Sequence, residues 1–314
     1  MITSIALVAL SAAAPAVSAP PILAPTAARP VLAGLSAEWD SPTFFVEGVP
    51  YMVTVDLTAP AEGCEIDAWA LTAAAFEVNG KPTIDRAGGK LALAPNQTMS
   101  FTVDLGPYIS GSPSFSNAPF SLKYAYPEQG EPLMVEYGQA ADKGLDFMTM
   151  PVEELSNYIV LISTNRGDMI AEFWPDVAPN HVRNFLDLSY TGFYDGVPFH
   201  RVIPGFMIQG GDPTGTGTGS GKRQLKAEFN DRKHVPGVLS MARSASPDSA
   251  SCQFFVMHGT AKHLDGQYSG FGQLMSGIEV VNEIVNTPRG PGDRPTTKQE
   301  IKRAVVLKRP AGGE

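Results

Sequence analysis

From residue 51 onward, apolar and polar positions alternate one by one. Tyr51, Val53, Val55 and Leu57 interleave with Met52, Thr54, Asp56 and Thr58. Met99, Phe101, Val103 and Leu105 interleave with Ser100, Thr102, Asp104 and Gly106, and Phe120, Leu122, Tyr124 and Tyr126 repeat the pattern. A period of two gives a strand one apolar face for a core and one polar face for water. Asn79-Gly80 adds a tight-turn signal, because a two-residue hairpin needs residues that tolerate positive φ. Residues 31–155 therefore predict many short strands.

After residue 156 the pattern changes. Tyr158, Val160 and Ile162 alternate with Ile159, Leu161 and Ser163, which reads as a strand buried on both faces. Asn165-Arg166-Gly167-Asp168 turns the chain into a second strand reaching Phe173. Pro179 suits a first helical turn, and Val182, Phe185 and Leu186 share the face that follows. A second helix is predicted over GIEVVNEIVN, with Ile278, Val281 and Val285 as its apolar stripe. The remainder alternates strands with loops rich in Gly and Pro. The fold class is thus mainly β: an N-terminal β-sandwich of immunoglobulin-like type, then a closed antiparallel β-barrel with two helices. The Cys…Trp…Cys pattern of true immunoglobulin domains is missing from the first part. The change of character over 140–156 sets the predicted domains at 31–155 and 156–314.

A length of 314 residues suits two domains, each with its own core. The net charge of −9 is unevenly shared. Residues 31–155 hold 5 Lys and Arg against 17 Asp and Glu, while 156–314 hold 17 against 15. Such a balance argues against a phosphate backbone as partner, so no nucleic-acid binding is expected. The start, MITSIALVALSAAAPAVSAP, has the apolar run and small residues of an export signal, although no Lys or Arg precedes the run and Pro20 follows Val17-Ser18-Ala19. Residues 1–30 are read as a signal peptide and Pro/Ala-rich linker, and the protein as exported, periplasmic or secreted. The run is too short for stable membrane insertion. Cys64 and Cys252, one in each predicted domain, read as free thiols.

Two motifs invite chemistry and fail on detail. GTGTGSGK lacks the P-loop pattern, with Thr216 where a Gly is needed and Arg223 where Ser or Thr is needed, so it reads as a flexible loop. Cys252 with His258 or His263 could make a thiol hydrolase, but Cys252 precedes the core-like run QFFV. His181, on the first helix, reads as a surface or satisfied residue, and His200, beside Arg201, as structural.

FHRVIPGFMIQGGD, residues 199–212, is harder to dismiss, because it mixes a lone Arg and a Gln with Phe and Met. With LSMARSASPDSASCQFFVMH (239–258) and HLDGQYSGFGQL (263–274), it resembles the cyclophilin family of peptidyl-prolyl isomerases. The likeness runs from about Asn157 to Lys308 and leaves residues 31–155 without a family.

The resemblance implies a cyclophilin-like barrel that rotates X-Pro bonds with no cofactor and no metal. The amide barrier is about 18–20 kcal/mol. Uncatalysed rotation takes tens to hundreds of seconds, so a turnover of about 10 per second needs roughly 4 kcal/mol of help, which one charged hydrogen bond and an apolar pocket can supply. By position in the motifs, Arg201 would donate to the prolyl nitrogen as its lone pair leaves conjugation, and Gln209 would hold Arg201 or bond the substrate carbonyl. Phe206, Met207, Phe255 and Leu264 would form the proline pocket, with His263 and Tyr268 beside it. Ala242, Arg243 and Gln253 would position the flanking peptide. Departures are His263 for a frequent tryptophan, so tight cyclosporin binding is not implied; Tyr268 for a histidine; Arg243 for an asparagine; and a 244–251 loop one residue longer. The expected partners are proline-containing unfolded or partly folded proteins. The rival reading is a non-catalytic proline-peptide binding or chaperone-like module.

Overall fold

The computed structural model describes residues 34–309, apart from 43, 113, 114, 117 and 127–130. The export signal and linker predicted over 1–30 lie outside these residues. The chain divides into two compact units between Tyr137 and Gly138.

The first unit contains β1 (Ser36–Asp40), β2 (Phe44–Val46), β3 (Met52–Thr58), β4 (Cys64–Asp67), β5 (Phe76–Val78), β6 (Lys81–Pro82), β7 (Lys90–Leu93), β8 (Thr98–Asp104), a short helix α1 (Gly106–Ser110), β9 (Phe120–Tyr124) and β10 (Leu133–Gly138). They form a three-stranded sheet β1-β3-β8, a five-stranded sheet β2-β10-β9-β5-β6 and the pair β4-β7. The alternation has its predicted consequence. Val53, Val55 and Leu57 of β3 and Phe101 of β8 share one core with Phe45, Phe76, Val78, Phe120, Leu122 and Val135 of the larger sheet. On the opposite face of β3, Thr54 pairs with Thr102 and Thr58 with Thr98 through their hydroxyls, at 3.0 and 2.9 Å. Asn79 and Gly80 link β5 to β6 with φ of 50° and 74°, the two positive values a type I′ hairpin requires.

The boundary falls earlier than the sequence suggested. Residues 138–155, assigned from composition to the first domain, pack with the second. Ala140 bridges Leu307, and Phe147, Met150 and Leu155 are buried in the core of the second unit. Polar composition misled here because most of the segment is irregular surface chain, and a few apolar anchors decide where it belongs.

That second unit holds α2 (Val152–Leu155), β11 (Tyr158–Thr164), β12 (Gly167–Phe173), α3 (Pro179–Tyr190), β13 (Arg201–Ile203), β14 (Met207–Gly210), β15 (Val238–Met241), β16 (Phe254–Met257), β17 (Gly270–Ser276), α4 (Ile278–Val285) and β18 (Ile301–Lys308). Its eight strands make one antiparallel sheet ordered β13-β14-β16-β15-β17-β12-β11-β18. The sheet curls. Chain preceding edge strand β13 bonds the start of edge strand β18, from Gly196 N to Ile301 O (2.8 Å), Ile301 N to Val197 O (2.9 Å) and Phe199 N to Gln299 O (2.7 Å).

Both long helices occur where their spacing placed them. Val182, Phe185 and Leu186 of α3 and Val280, Val281, Ile284 and Val285 of α4 enter one core with Ile162, Met169, Ile208, Val256 and Phe271. Ile278 differs from expectation and is exposed. It is the first residue of α4, directly after Gly277 at φ 92°, so the buried stripe begins at Val280 instead.

α3 begins without a side-chain cap of its own. Glu228, from a distant loop, supplies one. Its carboxylate accepts from the backbone N–H groups of Asn180 (3.1 Å) and His181 (3.0 Å), and His181 Nδ1 lies 2.6 Å from Oε2. A carboxylate here satisfies the orphan donors of the first turn and opposes the helix dipole. His181, whose sequence allows a surface or a satisfied residue, is fully buried in this contact. Burial alone would push the Glu228 carboxyl up, but the His181 ring and the N–H donors outweigh it, and the group titrates below its ordinary value. A depressed carboxylate adds stability above the unfolded-state value of about 4.3 and loses it as pH falls through the folded value. Glu228→Gln is expected to lower the unfolding free energy of the chain at pH 7 by about 1–2 kcal/mol. It should also flatten the loss of stability between about pH 5 and pH 3, read by urea unfolding at several pH values.

Candidate active site

In the antiparallel ladder, Arg201 of β13 pairs with Gln209 of β14, Gln209 with Phe255 of β16, and Phe255 with Ser240 of β15. Directly paired residues project from the same face of a sheet, so these four side chains form a row. The next row, one residue along, is Val202, Ile208, Val256 and Leu239, and all four are buried in the interior core. Beyond it lie Ile203, Met207 and Met257, again on the face of Arg201. The mixed composition of FHRVIPGFMIQGGD follows directly. Its two strands each feed the interior with one face and build an outer apolar site with the other.

The outer face has its own small core. Met207, Val238, Phe255, Met257, Ala261 and Leu264 are buried together, with Ile203, Phe206, Ala242, Tyr268 and Trp174 packed against them. Phe255 meets Tyr268 edge to face at 5.9 Å, and Phe206 meets the exposed His263 ring at 6.0 Å. The turn carrying Phe206 is set by Pro204-Gly205: Gly205 has φ 75° and Phe206 N donates to Ile203 O at 3.0 Å, the pattern of a type II turn. Gly259 must be glycine, because a Cβ there would come within 2.0 Å of Gly205 O.

At the polar edge of this surface, Arg201 Nη1 donates to Gln209 Oε1 at 3.5 Å, and Gln209 Nε2 donates to Gln253 Oε1 at 3.1 Å. Gln253 Nε2 in turn donates to the carbonyls of Gly217 (3.1 Å) and Gly219 (2.8 Å). A chain of amides thus ties the guanidinium to the glycine-rich loop. At the opposite end, the Arg243 guanidinium stacks on Tyr268 at 4.5 Å and donates to Gln267 O at 3.1 Å. Ala242 N bonds Gln253 O at 2.9 Å. Strand pairing, ring contacts and hydrogen bonds therefore connect Arg201, Phe206, Met207, Gln209, Ala242, Arg243, Gln253, Phe255, His263, Leu264 and Tyr268 into one patch, in which Met207, Phe255 and Leu264 are buried and the others are at least partly exposed.

The glycine-rich loop, expected to be flexible, is instead wound around an internal anion. Asp212 is fully buried, and its carboxylate accepts from the backbone N–H of Thr214 (2.8 Å), Gly217 (2.6 Å) and Gly219 (3.0 Å) and from the Thr214 hydroxyl (2.8 Å). Glycine backbones do cradle a negative charge here, but the charge is the chain's own. A Cβ at Gly219 would fall 1.9 Å from Asp212 Oδ1, which explains the glycine. Burial works against ionisation, yet the Gly219, Thr214 and Gly217 donors prevail and hold the carboxyl far below its usual range.

Sequence reading also missed a buried brace behind the pocket. His234 stacks on Phe255 at 6.3 Å, with Nδ1 3.1 Å from Asp265 Oδ1 and Nε2 3.0 Å from Ser240 Oγ. Burial holds the ring below its ordinary value despite the Asp265 carboxylate, so the neutral ring donates from Nδ1 and accepts from the Ser240 hydroxyl at Nε2. A Ser, His and Asp in this order suggest a hydrolytic triad. Ser240 is fully buried, however, and the group can only hold Phe255 and the 263–268 motif in place. The signal available in sequence was the Asp of the LDG motif. Cys252 is also buried, and burial pushes its thiol up to about 11, which removes it as a nucleophile at neutral pH. His200 is buried, and burial lowers its pKa. Among the described residues, no group of three or more His, Cys, Asp or Glu could hold a metal ion, and no helix is long and apolar enough to cross a membrane.

Comparison with known proteins bears on the same half of the chain. The family model described as cyclophilin type peptidyl-prolyl cis-trans isomerase/CLD matches residues 159–306. A peptidyl-prolyl cis-trans isomerase of Arabidopsis thaliana, CYP18-1, is 42% identical over 160 residues, covering 49% of this chain and 99% of that protein. A peptidyl-prolyl cis-trans isomerase of Synechococcus elongatus is 45% identical over 131 residues, covering 41% of this chain and 90% of that one. Among solved structures, a Cryptosporidium parvum cyclophilin type isomerase, crystallised in the presence of the dipeptide Ala-Pro, is 37% identical with a TM-score of 0.46 and covers 48% of this chain and 99% of its own.

Asp212→Asn keeps the side chain's size but removes its charge from three backbone donors. The variant is expected to unfold at lower urea concentration, with a loss of about 1–3 kcal/mol at pH 7. Because the unfolded carboxyl takes up its proton near the ordinary value of about 3.9 while the native one titrates far below it, the contribution is full above about pH 5 and is lost progressively as pH falls from there toward the folded value. Equal unfolding midpoints for the two proteins at pH 7 would show that the loop does not depend on the anion.

Proposed function

The chain belongs to the cyclophilin-type peptidyl-prolyl cis-trans isomerase family, and from that premise we propose how its residues do the work and where they do it. The protein is a peptidyl-prolyl cis-trans isomerase acting on proline-containing peptides. Arg201 is the transition-state donor. When the X-Pro amide twists, the prolyl nitrogen regains its lone pair and becomes an acceptor, which it is not in either planar state. A donor that meets it only then lowers the barrier without holding the ground state. A guanidinium suits the task, because it stays charged at every physiological pH and presents rigid donors.

The observation that carries this reading is the row Arg201, Gln209, Phe255 on three adjacent strands. It sets a fixed cation beside a desolvated aromatic and sulfur-containing surface. Phe206, Met207, Phe255 and Leu264 receive the proline ring, with His263 and Tyr268 at its margin. Gln209 keeps Arg201 in position, and Ala242, Arg243 and Gln253 align the flanking peptide. Rotation needs no group to be transferred, so no cofactor enters the scheme.

The wider assignments rest on sequence and architecture. An apolar start followed by small residues supports export to the periplasm or medium, with unfolded or partly folded proteins as clients. Two sheets around one core support reading the first unit as a β-sandwich, of immunoglobulin-like type, and the hydrogen bonds between residues 196–199 and 299–301 support reading the second as a closed barrel. The rival, a proline binder without catalysis, gives no reason for a cation held at the edge of the pocket.

Arg201→Ala is expected to lower kcat/KM on a proline tetrapeptide by about 100-fold or more, as loss of a preorganised transition-state donor does elsewhere. Peptide affinity should persist, since the apolar surface is intact. Proline-limited refolding of a test protein provides the check. If wild type and variant accelerate it equally, the protein binds proline segments without using Arg201 to rotate them.

A further inference from the structure

Arg201 has a second partner that the motifs do not include. Its Nε lies 3.7 Å from Asp293 Oδ2, and the other carboxylate oxygen of Asp293 lies 3.7 Å from Arg289 Nε. The two edges of a guanidinium are distinct. A carboxylate at the Nε edge leaves the terminal nitrogens for other work, and one of these, Nη1, is the nitrogen that reaches Gln209.

The segment bearing Asp293 is built to hold it there. Between α4 and β18 the chain folds back on itself. Gly290 N donates to Arg294 O and Thr296 N to Pro288 O, both at 2.8 Å, and Arg289 bridges Pro295. The next residue, Arg294, anchors this turn to the glycine-rich loop, donating to Gly215 O at 2.5 Å and Thr216 O at 3.2 Å. That same loop receives Gln253, so the site's two polar tethers meet on one support. Asp293 has φ 58°, one of three positive values among the described non-glycine residues. Asp is, with Asn, among the non-glycine residues that accept this left-handed conformation, so the turn can present a carboxylate here.

We propose that Asp293 is a positioning residue for isomerisation: it engages the Nε edge of Arg201 and turns the terminal nitrogens toward Gln209 and the pocket. The inference rests on Arg201 being the transition-state donor. Arg201 and Asp293 are both about two-fifths exposed, at 41% and 39% of their side-chain surface, so water screens the pair and its effect is modest. It acts on orientation, which matters in the twisted state and little for peptide capture.

Asn and Gly both tolerate the left-handed backbone, so Asp293→Asn and Asp293→Gly remove the charge without strain. Both variants are expected to lower kcat by about three- to fivefold with KM within about twofold of wild type. The 1H–15N resonance of Arg201 Nε should shift and exchange faster with solvent, a change that a purely structural loop would not produce. High salt should lower the wild-type kcat toward that of the variants and leave theirs nearly constant. Unchanged or increased kcat in both variants overturns the proposal. Arg201→Ala, measured alongside, separates the two claims. Full activity there removes the catalytic reading itself, whereas an inactive Arg201→Ala with wild-type Asp293 variants removes only this inference.

Discussion

The outer site depends on strand register. Arg201, Gln209 and Phe255 act as one unit because β13, β14 and β16 pair them directly across the sheet. A slip of one residue in either pairing would turn Arg201 or Gln209 into the interior, where Val202 and Ile208 now sit fully buried. An unpaired guanidinium in that core would be far too costly to tolerate. The apolar interior therefore enforces the register, and the register assembles the outer site. Stability and chemistry share one constraint, read on opposite faces of the same strands.

Around that row, loops are fixed by buried or half-buried acids that receive backbone N–H groups. Asp212 gathers the glycine-rich loop, Glu228 caps α3, and Asp265 accepts from the His234 backbone at 2.9 Å as well as from its ring. Each carboxylate replaces water that a loop would otherwise need, and each is held below its ordinary pKa by the donors it receives. The result is loop geometry held by hydrogen bonds to the chain's own carboxylates. Both cysteines are free, and Cys252 serves as a small core residue. A site that lowers a barrier by orienting one cation profits from such stiffness, because misplacement by an ångström erodes the effect.

Much of this was legible in the chain. Alternation located β3, β8 and β9, and Asn79-Gly80 foretold its hairpin, because these signals are local and depend on one residue's neighbours. The three motifs from 199 to 274 pointed to the cyclophilin-type family and to the residues that now share one surface. What escaped the reading is non-local. Nothing adjacent to Glu228 in sequence says that it caps a helix 48 residues earlier. The link between Arg201 and Asp293 spans about half of the second unit, and the glycine loop looked mobile because its anchor, Asp212, is visible only once folded. The boundary moved to 137/138 for a related reason: a few buried anchors, Phe147 among them, outweighed the composition of the segment around them.

The central claim, that the outer face of β13, β14 and β16 both receives proline and turns its bond, can be met by one observation. Two-dimensional NMR exchange on a proline tetrapeptide, with 15N-labelled protein present in catalytic amount and then in excess, reports both events in one sample series. The account predicts cis–trans exchange cross-peaks that appear only with protein, together with amide and side-chain shifts concentrated at Arg201, Gln209, Phe255 and Leu264. Binding shifts at those residues without exchange peaks, or exchange accompanied by shifts elsewhere in the chain, would contradict it.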